Sequence, residues 1–341
     1  MTRSDDHVDG LDDALAEIGR LRVYEPPADV WDGIVRELDR AEAPRSKGTR
    51  RIVTALGVAA AVALVSTYTL GAFRSSWAID RVAGTPVVGT RAIATRGALG
   101  EGEWLETDVR SRARLSIGTL GSADVGPGSR VKLVQAGGAE RALRVERGSI
   151  DARVWAPPRF FLVETPAATA VDLGCVYSLE VDSRGNGTLR VRSGQVELQG
   201  GGRLSLVVAG TAARMRSGVG PGTPYPSGAS QAFREALETI DFGSDGRSDA
   251  LGRLLAETNV SSTITLWHLL PRVEPREREL VYDRLAALSA PPNGVTRSAV
   301  LALDARALGR WRSALDPSWS TERVRLWKRA WRAVWSYARG R

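Results

Sequence analysis

The sequence predicts a mainly β domain over residues 82–226, with a β-roll, solenoid-like or sandwich fold. A C-terminal α-helical bundle is predicted over residues 228–341, and one N-terminal transmembrane helix precedes the β domain. Short stretches of alternating apolar and polar residues, about ten residues apart and separated by glycine-rich turns, indicate the β domain. Apolar residues spaced three and four apart indicate the bundle, and a long uncharged stretch indicates the transmembrane helix.

Residues 1–51 are predicted to form a helical arm in the cytoplasm. The arm begins with one short amphipathic helix, and two prolines end it. Trp31, Ile34 and Leu38 then share one face of a second short helix. Helices of this length cannot bury an apolar face alone, so these three side chains are predicted to contact a partner. The alternative is an arm that folds loosely against the membrane.

The predicted transmembrane helix covers residues 52–73, which contain no charged residue. A helix of that length spans roughly 33 Å, which matches a bilayer core of about 30 Å. Four basic residues closely precede it: Arg45, Lys47, Arg50 and Arg51. The positive-inside rule therefore places the N-terminus in the cytoplasm and the later domains on the other side of the membrane, which for an inner membrane is the periplasm. The alternatives are a signal peptide cleaved near Ala78 and a buried helix of a soluble core.

The β domain is predicted from its turns as much as from its strands. Glycine clusters such as Gly126-Pro127-Gly128 and Gly200-Gly201-Gly202 separate the alternating stretches and supply the positive φ angles of tight turns. Residues 147–154 and 192–198 each combine a turn glycine with an alternating strand. Such repetition favours stacked β-hairpins or a short β-solenoid.

Residues from roughly 85 to 215 resemble the FecR-domain family of inner-membrane regulatory proteins. The resemblance is carried by these segments: Arg147-Gly148-Ser149-Ile150, Phe161 to Pro166, Val171 to Cys175, Leu179 to Val181, Val191 to Val196 and Val208 to Gly210. It implies a single-pass membrane protein with an exported β domain. It also implies regulation of a sigma factor held at the cytoplasmic face, in the manner of an anti-sigma factor.

The last helix, predicted over residues 321–338, carries the largest basic cluster of a chain whose formal net charge is +8. Trp327 and Trp331 lie on its apolar stripe, with Arg329 and Arg332 beside them. Basic residues and tryptophans on one amphipathic helix suit a membrane interface, so these four residues are predicted to contact lipid. The alternative is that the tryptophans pack onto the bundle while the arginines are solvated.

The residue types that usually carry catalysis are scarce. The chain has one cysteine, Cys175, and two histidines, His7 and His268, which the predicted topology places on opposite sides of the membrane. No nucleophile elbow, nucleotide loop or cysteine-rich metal motif is present. We therefore expect no enzyme, cofactor or metal, although a hydrolase that uses carboxylates alone stays open. Cys175 is predicted to be a small buried residue, and His268 to be structural.

The sequence thus predicts a membrane-anchored regulatory protein. Its exported β domain would sense or scaffold outside the cytoplasm, and its arm would contact a sigma factor or another regulator inside. The alternative is an exported cell-envelope binding or scaffold module with no signalling role. The expected partners are the sigma factor, an envelope protein or cell-wall polymer, and membrane lipid. Direct contact with nucleic acid is not expected, because the basic C-terminal helix lies outside the cytoplasm.

Overall fold

The computed structural model describes residues 76–138, 140–154 and 159–319. The cytoplasmic arm, residues 52–73 and the predicted C-terminal interfacial helix lie outside the described residues. The strands begin at Ser76 and end at Pro226, and helices follow from Gln231.

The described strands are numbered in chain order. They are β1 (Ser76–Ala83), β2 (Val87–Val88), β3 (Arg91–Ala92), β4 (Arg96–Gly100), β5 (Trp104–Glu106), β6 (Arg112–Ser116), β7 (Gly121–Val125), β8 (Arg130–Gln135) and β9 (Arg141–Val154). They continue as β10 (Phe161–Glu164), β11 (Thr169–Asp172), β12 (Cys175–Val181), β13 (Gly187–Ser193), β14 (Gln195–Gly200), β15 (Arg203–Val208), β16 (Thr211–Arg216), β17 (Gly220–Pro221) and β18 (Tyr225–Pro226).

These strands form two sheets that share the long strand β9. In the first sheet the order is β4, β1, β6, β7, β9, β12, β13 and β16, with β17 and β18 both paired to β16. In the second sheet the order is β3, β2, β5, β8, β9, β10, β11, β14 and β15. All of these pairs are antiparallel except β9 with β10.

Strand β9 passes from one sheet to the other at Gly148. Residues up to Arg147 pair with β8 in the second sheet, and residues from Gly148 onward pair with β12 in the first. Gly148 has φ of 96°, and a Cβ there would lie 2.3 Å from Ser129 Cα. Only glycine fits this close approach in a left-handed conformation, so the corner of the sandwich depends on it.

The inner faces of the two sheets form one hydrophobic core, as the alternation in sequence predicts. In β6, for example, Ala113 and Leu115 are buried while Arg112 and Arg114 are exposed. The rings of Trp77 from the first sheet and Phe161 from the second lie 6.2 Å apart, centroid to centroid. The two layers are therefore in direct contact across the core.

The six α-helices of the described part follow the sheets. They are α1 (Gln231–Phe242), α2 (Arg247–Glu257), α3 (Thr263–Leu269), α4 (Pro275–Leu288), α5 (Arg297–Leu301) and α6 (Ala305–Trp319). Ser230 is the N-cap residue of α1, and its side chain accepts the N–H of Phe233 at 2.9 Å. Helix α4 has a proline, Pro275, at its first position. Their apolar faces form a second core together with Leu206, Val208 and Tyr225 from the strands.

The predicted fold class, a β domain with a transmembrane helix and a separate helical bundle, is wrong. Within the described residues, no helix combines the length and the apolar character needed to cross a membrane. The described part of the chain is mainly β, with two layers joined through β9 and six helices after them. The helices also do not form an independent bundle, since their longest has 15 residues and they bury their apolar faces partly on strands β15, β16 and β18.

The position of Trp77 is also relevant to the alternative of a signal peptide cleaved near Ala78. Both residues belong to strand β1, and the Trp77 side chain is only 3% exposed. Its indole N–H donates to the carbonyl oxygen of Ala136 at 3.0 Å. Cleavage after Ala78 would remove this core residue, so such processing does not suit the fold.

We expect Trp77→Ala to lower the free energy of unfolding by about 3–5 kcal/mol, because it leaves a cavity between the sheets and orphans a buried carbonyl. Urea denaturation followed by circular dichroism measures the change. The control is Val109→Ala, whose side chain is 81% exposed and whose loss should cost no more than about 0.5 kcal/mol. Equal stability of the two variants would contradict this placement of Trp77.

Candidate functional site: the junction of β15 with the helices

The side chains predicted from the sequence to contact partners lie outside the part of the chain that the structure describes, so the structure does not test them. Trp31, Ile34 and Leu38, predicted to contact a cytoplasmic partner, lie outside the described residues. The lipid-contact candidates lie outside them too: Trp327, Arg329, Trp331 and Arg332. Both hypotheses therefore stay predictions, and the candidate site below is one that sequence reasoning missed.

Strand β15 ends the second sheet, because among the described strands it pairs only with β14. Its outer edge has backbone groups that need partners, as every sheet edge does. His268 and Arg272 supply them. The N–H of Leu206 donates to His268 Nε2 at 3.0 Å, and Arg272 Nη2 donates to the carbonyl oxygen of Leu204 at 3.0 Å. Thr211 Oγ1 accepts the N–H of Val208, also on β15, so these three side chains together close the edge of the sheet.

The hydrogen bonds of His268 fix its tautomer. Because Nε2 accepts a backbone N–H, Nδ1 carries the proton and donates to the carbonyl oxygen of Ile264 at 2.8 Å. Burial, together with the nearby charge of Arg272, lowers the pKa of His268 to about 3. The imidazole is therefore neutral and has both nitrogens occupied, which suits a structural role.

A buried ion pair lies beside this edge. Asp241, in the last turn of α1, accepts the Thr223 N–H at 2.6 Å and the Thr223 hydroxyl at 2.8 Å. Arg272 Nη1 lies 3.4 Å from Asp241 Oδ1, the oxygen that also accepts the Thr223 hydroxyl, and the Arg272 and Asp241 side chains are 13% and 3% exposed. Burial lowers the pKa of Arg272, and Asp241 opposes that shift. The pair therefore joins α1 to the segment after α3.

Two more arginines bind the C-terminal end of α1, where helix carbonyl groups lack partners. Arg203 from β15 donates to the carbonyl oxygen of Asp241 at 3.1 Å, and Arg216 from β16 donates to that of Phe242 at 3.0 Å. Positive charge is also favourable at the negative end of the helix dipole. The end of α1 is thus tied to both sheets, since β15 belongs to the second and β16 to the first.

Two clefts are lined in part by residues of this junction. One, of about 400 Å³, is lined by charged side chains that include Glu180, Arg184, Arg214 and Glu238. Arg214 forms an ion pair with Glu238, so part of this charge is already neutralised. The other cleft, of about 500 Å³, has an apolar wall of Leu204, Trp267 and Pro271 beside His268 and Arg272.

The polar side chains of the junction are occupied in holding the helices to the sheet. Its histidine is neutral and doubly hydrogen-bonded, and Cys175 is buried elsewhere, in the sandwich core. In the described part of the chain, no group of three or more His, Cys, Asp or Glu side chains could hold a metal ion. A ligand in either cleft would instead contact side chains that fix the helices to the sheet.

Comparisons with known proteins add little beyond this geometry. No protein-family model matches the chain, and no curated protein matches it. Two crystal structures, each of a candidate anti-sigma factor from Parabacteroides distasonis ATCC 8503, are similar to 39% of this chain, with 14% identity and a TM-score of 0.32. This chain covers 63% and 62% of their lengths, less than two thirds. A TM-score this low is insufficient to assign a fold or a function.

We expect His268 to make stability depend on pH. Its folded pKa of about 3 lies below the ordinary value of 6.5, so the unfolded chain binds the extra proton. The contribution of His268 is therefore fully present above about pH 6.5 and is lost as pH falls toward 3. Relative to His268→Gln, the wild type should lose about 2 kcal/mol of unfolding free energy between pH 7 and pH 5. Urea denaturation at both pH values measures it; a constant difference would contradict the assignment.

We expect Asp241→Asn to destabilise the protein by about 3 kcal/mol or more, because it leaves the buried Arg272 without a counter-charge. The matched control is Asp283→Asn, which breaks an exposed ion pair with Arg297, whose Nε lies 3.3 Å from the Asp283 carboxylate. That pair should be worth less than about 1 kcal/mol. Urea midpoints of the two variants give the comparison, and similar values would contradict a special role for Asp241.

Proposed function

We propose that the protein is a membrane-associated regulator of the FecR type, in which the described domains receive a signal outside the cytoplasm and residues 1–51 contact a sigma factor or another regulator inside. The observation that carries the proposal is the junction at β15. It ties the helices to the β domain through Asp241 and Arg272, and the proposal is that a conformational change passes between them by this contact. Structural roles for the described histidine and cysteine also fit a regulator better than a catalyst.

The proposed location depends on sequence. Residues 52–73 carry no charge, and the basic residues that precede them favour a cytoplasmic N-terminus. The described domains would then lie in the periplasm, where a fold with a single, buried cysteine has no disulfide to form. Its stability would come from its two hydrophobic cores and from the junction between them.

Contact with the regulator is proposed through Trp31, because a tryptophan on a short apolar stripe is a common interface hot spot. The test measures binding of the full chain to each purified sigma factor of the source organism. Trp31→Ala should weaken binding by about 2 kcal/mol or more, roughly thirtyfold in Kd. The control is Tyr24→Ala, an aromatic residue outside the stripe, which should bind like the wild type.

Equal binding by the wild type and Trp31→Ala would contradict the proposed contact through Trp31. Absence of binding to every sigma factor would favour the alternative, an exported cell-envelope binding or scaffold module whose arm only sets its orientation.

A further inference from the structure

The turn between β11 and β12 buries three polar side chains, Asp172, Cys175 and Tyr177, each 1% exposed. Asp172 Oδ1 accepts the N–H of Gly174 at 2.5 Å, and the Cys175 thiol also donates to this carboxyl group. Within the described residues, Asp172 Oδ2 and the Tyr177 hydroxyl have no hydrogen-bond partner. Buried polar groups almost always have partners, so this orphan carboxyl oxygen requires a physical explanation.

Among the described residues, none places a counter-charge against Asp172. On β12 it faces Cys175 and Tyr177, and on β14 its register partner is Val196. Arg159 donates its backbone N–H to the carbonyl oxygen of Asp172, but its guanidinium group pairs with Glu197 at 3.0 Å. Residues 155–158, which lie outside the described part, have no ionisable side chain. Burial accordingly raises the pKa of Asp172 to about 7, opposed by hydrogen bonds from Cys175 and Gly174.

The same turn connects the two cores. Leu173, next to Asp172, packs against the helical core, and its N–H donates to the carbonyl oxygen of Gln195 at 3.2 Å. The turn is also tightly held, since a Cβ added to Gly194 would lie 2.1 Å from the carbonyl oxygen of Gly174. Asp172 is 1% exposed, so an ionised carboxylate there can be hydrated only after a local opening, and an opening at this turn would withdraw Leu173 from the helices.

We propose that Asp172 is an ionisable latch: as a neutral carboxyl group it keeps the Leu173–Gly174 turn closed against the helical core, and loss of its proton opens the turn. The latch lies apart from the junction at β15 and does not depend on the identity of any partner. It would make contact between the sandwich and the helices respond to the pH of the surrounding compartment.

The direction of the pH effect on opening follows from the proton that the closed turn binds and the open turn does not. In the open turn the carboxyl group is hydrated and has the ordinary pKa of about 3.9, whereas the closed turn holds its proton up to about pH 7. Between these values the closed form binds a proton that the open form does not. The equilibrium constant for opening should therefore rise about tenfold per pH unit and become constant above about pH 7.

Amide hydrogen exchange of the full chain between pH 5 and pH 8, corrected for intrinsic exchange rates, tests the latch. Protection of the Leu173 and Gly174 amides should fall about tenfold per pH unit from pH 5 to pH 7 in the wild type. Asp172→Asn should abolish this dependence. Asp151→Asn, which removes a half-exposed carboxylate on β9, should retain the pH dependence.

Protection that is independent of pH in the wild type, or equally dependent on pH in Asp172→Asn, would overturn the proposal. Should Asp172→Asn fail to fold, carbon-13 titration of the Asp172 carboxyl group in the wild type decides instead. A midpoint near 7 supports the latch, and a midpoint near 4 overturns it.

Discussion

The buried ion pair between Asp241 and Arg272 is the interaction on which the described architecture depends. A buried pair is costly to form, because both charges lose water, and it is stable only when further hydrogen bonds satisfy it. Here Thr223 binds the carboxylate, while Ser205 and the carbonyl oxygen of Leu204 bind the guanidinium group. The pair can therefore form only when α1, the segment after α3 and strand β15 are all in place.

Two ionisable groups give the contacts between the sandwich and the helices opposite responses to pH. His268 is neutral in the folded protein, so acid weakens the edge of β15 that it closes. Asp172 is also neutral when buried, but for a carboxyl group this means that base, not acid, weakens its turn. In the range where both titrate, the two contributions to overall stability oppose each other, although they act at different places. A free energy of unfolding that does not vary with pH in mildly acidic solution would thus be compatible with large local changes at the edge of β15 and at the Leu173–Gly174 turn.

Sequence patterns indicated the strands well because alternation is a local property, as in Arg112–Ser116, where each second residue faces the core. They could not give the strand order, which depends on pairings between distant residues. Gly148 was visible in a motif, but its role as the corner of β9 appears only when Ser129 is seen beside it. Asp241 and Arg272 likewise lie 31 residues apart and carry no shared motif. An uncharged stretch is a strong local signal too, yet it led to a fold class that the described residues do not support.

Side chains of α3 and of the segment after it cover the edge of β15, so cutting the chain between the strands and the helices would expose that edge. A fragment that ended near Pro226 would retain every described strand but lose His268 and Arg272. It would present the unpaired Leu206 amide and Leu204 carbonyl groups, with Leu206 and Val208 newly uncovered, on an apolar edge. Such an edge is a template for pairing with another copy. The helical region thus covers an edge that would otherwise be free to pair, and we expect the sandwich alone to associate with itself.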